Sequence, residues 1–418
     1  MGVERKRKVQ PSDILLPSAE QLPRELAKVE TMDVRFGRNG LFAQLFSETL
    51  ERMMEAELTG HLGYGKYETK GRNSGNSRNG KTEKKLHTSA GDIDVQVPRD
   101  RNSEFESKLL PKHRNYSDEL EEKIISFYAK GLSTRDIQSM LEELYGVEVS
   151  PATISAVTDK VWFLVEAWQN RPLASTYPIV YLDALHLKIR REGKVANTAL
   201  YVVLGIDLDG QRDVLGHWLG TGSEASNFWL SVISDLQARG VEDIFIACVD
   251  GLPGFQDAIR SVFPQTQVQR CIVHQIRQSL KYVAWKDRKE FADDLKEIYQ
   301  VPTREAAERA LRSVSEHWGS KYAMAVRSWE SNWDALMTMF EFPQVIRRLI
   351  YTTNMVESYH SQLRRVLKTK PFFPTDEAAR KLLFLVNREV TSRWTSTVFN
   401  WPLILNLLSI RFEQRLSP

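Results

Sequence analysis

The chain has 418 residues, 42% of them apolar and ten of them Trp, which is too much for one ordinary core and suits two to four domains of roughly 100 to 200 residues each. A formal charge of +3, left by 57 basic and 54 acidic side chains, excludes a uniformly polybasic protein, so attraction to a polyanion must come from local patches such as Lys66 to Lys85 and Arg364 to Lys370. The only cysteines, Cys248 and Cys271, exclude a disulfide framework, and the charged N-terminus leads into no apolar stretch, so a cytoplasmic protein without membrane partners is expected.

Residues 1–34 mix Pro, Glu and basic side chains without periodicity and read as a flexible arm. In region 35–115, Leu41, Leu45, Leu50, Met54 and Leu58 recur at helical spacing, and that helix needs a partner in a neighbouring domain or a second subunit. A Gly-, Asn- and Ser-rich basic loop follows, from Gly63 to Lys81. Alternating segments Lys84–Ser89 and Ile93–Val97 around Ala90-Gly91-Asp92 then predict a β-hairpin. Lys81, Lys84 and Lys85 are candidate DNA contacts there, with a solvated basic linker as the equally weighted alternative.

Region 116–170 reads as helices separated by turns. Leu120, Ile124, Ile125 and Tyr128 stripe the first, and Gly131 ends it. Ser133-Thr134-Arg135-Asp136 starts the second, and Ser150-Pro151 caps the third. Arg135, Ser150, Thr153, Ser155 and Lys160 are left to face outward, as on a helix-turn-helix that presents a recognition helix to the major groove. A generic three-helix packing module is the alternative.

From 171 to 275 the pattern changes to strands. Ile179–Ile189, Thr198–Leu208 and Asp213–Leu219, with Asp209-Gly210 as a turn, precede a helix over Ser223–Arg239, a strand over Ile244–Val249, a helix over Phe255–Phe263 and a strand over Gln267–Ile272. Three antiparallel strands followed by alternating helices and strands is the order of the RNase H-like fold. Residues 276–348 read as an all-helical, Trp-rich insertion whose indoles fill its core or, in one instance, stack on an unpaired base. A helix over Asn354–Leu367 then resumes the core in 349–418. The fold class is therefore α+β and multidomain, with a mixed five-stranded sheet interrupted by an all-α insertion and preceded by a helical DNA-binding region.

That strand order brings Asp183, Asp250 and Glu357 to one face. Clustered carboxylates repel one another unless a cation compensates them, and oxygen ligands suit Mg²⁺. Two such ions are expected, with Mn²⁺ able to substitute, acting in phosphodiester displacement. Taken singly, each acid is more often a turn cap or a solvated side chain.

The stretch around Asp250 is more specific: Asp250-Gly251-Leu252-Pro253-Gly254-Phe255, then Phe263-Pro264 and Gln269-Arg270-Cys271-Ile272-Val273-His274. It resembles the Mutator-type family of bacterial insertion-sequence transposases. Arg239-Gly240-Val241, Tyr351-Thr352-Thr353-Asn354, Leu363-Arg364-Arg365, Phe373-Pro374-Thr375-Asp376-Glu377-Ala378, His61-Leu62-Gly63-Tyr64 and Pro98-Arg99-Asp100-Arg101 look like further family motifs, so that the similarity runs from about residue 40 to 416. The pattern departs at His360 and Gln278, where the family commonly has Asn.

The resemblance implies that Asp183, Asp250 and Glu357 hold the metals, with Cys271 and His274 beside them. His274 would contact a phosphate oxygen or an acidic neighbour, or be an ordinary satisfied histidine. Cys271-x-x-His274 as half of a zinc site is disfavoured, because Cys248 lies in an apolar strand. Arg364, Arg365 and Lys368 would contact phosphates or complement a helix C-terminus. A DDE transposase is implied, a homodimer that binds terminal inverted repeats and target DNA, cuts, and joins ends without a nucleotide cofactor or a covalent protein intermediate. The alternatives are a catalytically inactive helix-turn-helix regulator and a structure-selective nuclease.

Overall fold

The computed structural model describes residues 41–71, 74–89, 91–112, 114–220, 225–251, 254–351 and 354–415, so the expected arm lies outside the described residues. The chain divides into two units, Met1–Lys160 and Val161–Pro418.

In the first unit, helix α1 (Leu41–Leu62) lies against a hairpin of β1 (Arg78–Thr88) and β2 (Gly91–Asp100). Met54 and Leu58 are fully buried, and Met54 shares a core with Leu86, Ile93, Val95 and Leu110. The partner that the apolar stripe required is thus supplied by the next element of its own region. The strands extend beyond the segments read from alternation, because Arg78–Glu83 is polar on both faces and only backbone pairing reveals its register.

Helices α2 (Asp118–Ala129), α3 (Thr134–Tyr145) and α4 (Pro151–Asp159) then pack on one another through Leu120, Ile124, Tyr128, Ile137, Leu141, Ile154 and Val157. Their boundaries follow local chemistry. Ser117, Ser133 and Ser150 each accept a hydrogen bond from the backbone at the third helical position, and Asp136 completes a reciprocal capping box with Ser133. Gly146, at φ 63°, closes α3 in the left-handed region.

The second unit begins with α5 (Trp162–Gln169), followed by β3 (Thr176–Arg191), β4 (Lys194–Ile206), β5 (Arg212–Leu219), α6 (Ala225–Ala238), β6 (Asp243–Val249), α7 (Phe255–Val262) and β7 (Gln267–Arg270). The strands form one mixed sheet in the order β5-β4-β3-β6-β7, antiparallel from β5 to β3 and parallel from β3 to β7. Central β3 is continuously buried from Tyr177 to Asp183, then alternates, with Leu185, Leu187 and Ile189 inside and His186, Lys188 and Arg190 exposed. The change marks where β6 ends and β3 runs on with β4 alone.

The last strand stops at Arg270, two residues earlier than the β-branched run suggests, because α8 (Ile272–Ser279) starts there. The described chain then stays helical through 3₁₀ turns Leu280–Tyr282 and Trp285–Asp287, α9 (Arg288–Tyr299), α10 (Arg304–Trp318), α11 (Ala323–Glu330), α12 (Trp333–Met337) and α13 (Gln344–Ile350). It ends with α14 (Asn354–Leu367), α15 (Asp376–Thr391) and α16 (Trp401–Arg411).

Two cores cover the two faces of the sheet. Val180, Leu182, Trp229, Phe255 and Ile259 form one, under α6 and α7. Ile179, Tyr181, Phe245, Trp318, Trp329 and Met337 belong to the other, which extends into the helical segment. Among the described residues, no helix is long and apolar enough to cross a membrane.

Candidate active site

The parallel pairing of β3 with β6 ends at Leu182 opposite Val249, so Asp183 and Asp250 each lie one residue past the last pair, at the same edge. The next strand continues the row, since Val249 pairs with Arg270 and the Cys271 amide donates to Val249 O at 2.9 Å. Helix α8 therefore begins beside both aspartates, and His274 lies in its first turn. Its Nε2 is 3.9 Å from Asp183 Oδ1 and its Nδ1 is 3.8 Å from Asp250 Oδ1. One ligand atom from each of Asp183, Asp250 and His274 lies within 4.8 Å of the others.

Glu357 lies outside that group. Its Oε1 meets Arg277 Nη1 at 2.5 Å, in a contact without hydrogen-bond geometry. The same helix nevertheless reaches Asp183, because His360, one turn on from Glu357, brings Nδ1 to 3.2 Å from Asp183 Oδ2 with both side chains buried. The sequence reading, which noted His360 only as a departure, missed this partner and Arg277. Their spacing carried a signal, since 357 and 360 on α14, like 274 and 277 on α8, are one turn apart on a single face.

Behind His360 runs a second buried set. Antiparallel pairing sets Asp183 opposite Val202 and Val202 opposite His217, so all three belong to one row across the sheet. The hydroxyl of Tyr359 is 2.7 Å from His217 Nε2 and donates to Asn387 Oδ1 at 3.0 Å.

The charges of the site follow from this packing. Burial acts to raise the Asp183 carboxyl, but the hydrogen bond and charge of His360, the His274 charge and the Ala184 amide outweigh it and hold the group below the ordinary carboxylate value. Burial acts to lower His274, but a hydrogen bond to Cys271 and the charges of Cys271, Asp183 and Asp250 push it up to about 9. An imidazolium thus lies between two carboxylates. His217, with no carboxylate partner, goes the other way: burial, then the charges of His360 and Arg171, take it down to about 3.

Three buried atoms here, His274 Nδ1, Glu357 Oε1 and His360 Nε2, have no hydrogen-bond partner among the described residues. The unsatisfied Glu357 oxygen and the carboxylates facing cationic side chains fit a divalent cation, whose charge would do what His274 and Arg277 now do. The second His, Asp and Glu group among the described residues, His61, Asp100 and Glu104, fits less well. Asp100 already accepts from Asn76 Nδ2 and from the Glu104 and Phe105 amides, which makes it a turn-forming carboxylate. Neither cysteine belongs to either group.

Beside Asp250 opens a cavity of ≈ 640 Å³ lined by residues that include Gly251, Asp257, Arg270, Asn332 and Trp333. Arg270 Nη1 donates to Asn332 Oδ1 at 2.6 Å. A Cβ at Gly251 would meet the Arg270 guanidinium at 2.1 Å, so the absence of a side chain at Gly251 lets the guanidinium lie against the backbone beside Asp250.

The expected DNA contacts divide into free and engaged side chains. Arg135, Ser155, Lys85, Arg364, Arg365 and Lys368 are exposed. Lys81 pairs with Glu51 at 3.2 Å and Lys160 with Glu121 at 2.6 Å. Lys84 donates to the carbonyls of Pro111 and Lys112, Ser150 caps α4, and Thr153 is half-buried.

Residues 18–397 match the family model described as "Transposase, Mutator family", which takes in part of the segment read from sequence as an arm outside the similarity. A probable transposase for insertion sequence element ISRM3-like from Sinorhizobium fredii is 43% identical over 381 residues, covering 91% of this chain and 94% of that one. A transposase for insertion sequence element ISRM3 from Rhizobium meliloti matches to the same extent, 43% over 381 residues, 91% and 94%. Among solved structures, the Drosophila P element transposase strand transfer complex is similar at a TM-score of 0.35 and 10% identity over 65% of this chain and 91% of that one, too loose a likeness to carry a fold assignment. With relatives of this identity over nine-tenths of its length, joined by a family match that runs through both aspartates and Glu357, the chain belongs to the Mutator family of transposases.

Proposed function

We propose that this transposase cuts the ends of an insertion sequence and joins them to target DNA at a site formed by Asp183, Asp250 and Glu357. The observation that carries the proposal is the side-by-side placement of Asp183 and Asp250 at the end of a parallel strand pair, with His274 between them. On this reading the five-stranded sheet is an RNase H-like core interrupted by the helical segment 276–348. Asp183 and Asp250, together with Glu357 once freed from Arg277, would hold two Mg²⁺ ions, or Mn²⁺. Bound there, such ions supply activation of the attacking oxygen and charge neutralisation at the leaving oxygen.

The residues of the chain do the rest. His360 fixes one oxygen of Asp183, leaving the other directed towards His274. Arg277, released from Glu357, and protonated His274 are cations placed to attract a phosphate. Helices α2 to α4 form a helix-turn-helix that binds the terminal inverted repeats, with Arg135, Ser155 and the α4 surface foremost. Region 35–115 contributes further DNA contacts and the dimer contact of a homodimer. The half-exposed Phe46 and Met53 on α1, seven residues apart, support the latter.

The test incubates purified protein with labelled element ends and Mg²⁺, beside Asp183→Asn, Asp250→Asn and Glu357→Gln. Wild type is expected to nick and join while each variant binds the ends but falls at least about 100-fold in rate, the scale of a lost transition-state contact. Equal activity of any variant removes that residue from the site.

A further inference from the structure

The turn that follows α8 carries an unusual exposure. Trp285 is 83% exposed, Tyr282 55% and Met324 59%, whereas Trp318 and Trp329 of the same helical segment are buried. Leaving an indole in water forgoes its burial energy, and this one is not on a loose loop. Val283 beside it is buried, Arg288 Nε donates to the Val283 carbonyl at 3.0 Å, and Asp287 is held by Lys321 at 2.6 Å and by the Tyr322 hydroxyl. The backbone is pinned on both sides of Trp285 while the ring points outward.

The charge around the ring is mostly basic, with Glu290 as an exposed acid beyond Lys289. Lys281, Lys286 and Lys289 are exposed, and the Arg288 guanidinium lies 5.6 Å from the Trp285 ring centre. The single acid between Lys281 and Lys289, Asp287, is neutralised by Lys321. A rigid aromatic face among cations matches a polyanion that carries flat apolar groups, which describes an unpaired DNA strand. An anionic membrane surface also takes Trp beside Lys and Arg, and what favours the strand here is that the chain belongs to a transposase family.

We propose that Tyr282 to Lys289 form a stacking platform for unpaired bases of a DNA strand, with Trp285 as the stacking face and Lys281, Lys286, Arg288 and Lys289 holding phosphates. The platform is continuous with the candidate active site, since α8 carries His274 in its first turn and leads directly into Tyr282, about 12 Å further on at the helical rise. A strand opened at the cut would be within reach of the turn. The inference rests on DNA being the substrate and is independent of the metal assignment.

Fluorescence anisotropy with labelled dT20 and with a 20-base-pair duplex, in the absence of divalent cation, tests it on the full chain. Trp285→Ala is expected to weaken dT20 binding by roughly 5- to 150-fold, the range measured for one aromatic under one base. Duplex binding should change less than about twofold, and Trp285→Phe should stay close to wild type on both, because it keeps a ring face. Wild-type protein should also quench 2-aminopurine placed in the dT strand. Unchanged dT20 binding by Trp285→Ala overturns the proposal, as does equal weakening on both substrates or absence of quenching. A sedimentation shift from dimer to monomer without a binding change also overturns it and assigns the patch to a second copy of the chain. Because the assay needs no catalysis, failure here leaves the cleavage reading standing, and failure of Glu357→Gln to lose activity leaves this one standing.

Discussion

His360 was visible in the sequence only as the wrong residue for its place, and the structure gives it a partner. Asp183 is buried and accepts from its neighbouring Ala184 amide at 2.8 Å, and His360 Nδ1 supplies the second contact. Removing it with His360→Ala leaves a buried carboxylate oxygen under-satisfied, which is expected to cost about 1 to 3 kcal/mol in urea unfolding and to slow end cleavage. His360→Asn, whose amide also donates, should recover part of both; equal loss in the two variants would mean that volume, and not the hydrogen bond, matters. A second test at this scale is Gly251→Ala. Its Cβ displaces the Arg270 guanidinium from Asn332, and cleavage should fall while the unfolding midpoint moves little. What made Gly251 and Asp250 legible was their contiguous motif. Arg270 and Asn332 are 62 positions apart, and no local pattern announces their hydrogen bond.

Elements were legible where their ends are set by side chains next to them. Ser133 and Asp136 start α3 where the sequence places a helix cap, and Gly146 ends it in the left-handed region, because a cap needs only residues within one turn. Ser133→Ala is expected to cost about 1 kcal/mol and to raise amide exchange in the first turn of α3 roughly fivefold. Unchanged exchange would show the helix start to be held by packing alone. Strand lengths were less legible. Residues 78–83 of β1 are polar and mostly exposed, so their strand state comes from pairing with β2 and not from a buried face. The Cys271-Ile272-Val273 run suits strand or helix equally, and the choice goes to α8, whose first amide meets Tyr351 O, 79 residues along the chain, at 3.3 Å.

At the scale of the whole second unit, the row Asp183, Val202, His217 ties the candidate site to the far strand of the sheet, and it makes stability depend on pH. The pKa of His217 falls to about 3 on folding, so on acidification the unfolded chain takes up the proton first. Its contribution is complete above the ordinary histidine value of about 6.5 and is lost as the pH falls from there towards 3, by about 1.4 kcal/mol per pH unit. Urea midpoints between pH 6.5 and 4 should drop less steeply in His217→Gln, whose amide can still donate to Tyr359, than in the wild type. Parallel slopes would show that other groups carry the acid sensitivity.

The order of helices and strands, the caps, and the membership in a transposase family were determined by the sequence by itself, since periodicity, turn chemistry and contiguous motifs operate over a few residues. Which charge meets which was decided by the tertiary structure. His274 lies between Asp183 and Asp250, Glu357 faces Arg277 outside that group, and His360 supports Asp183. These contacts join residues 24 to 177 positions apart, and they depend on strand register and on where α8 and α14 meet the sheet. Register is a property of paired backbones, and no single strand encodes it.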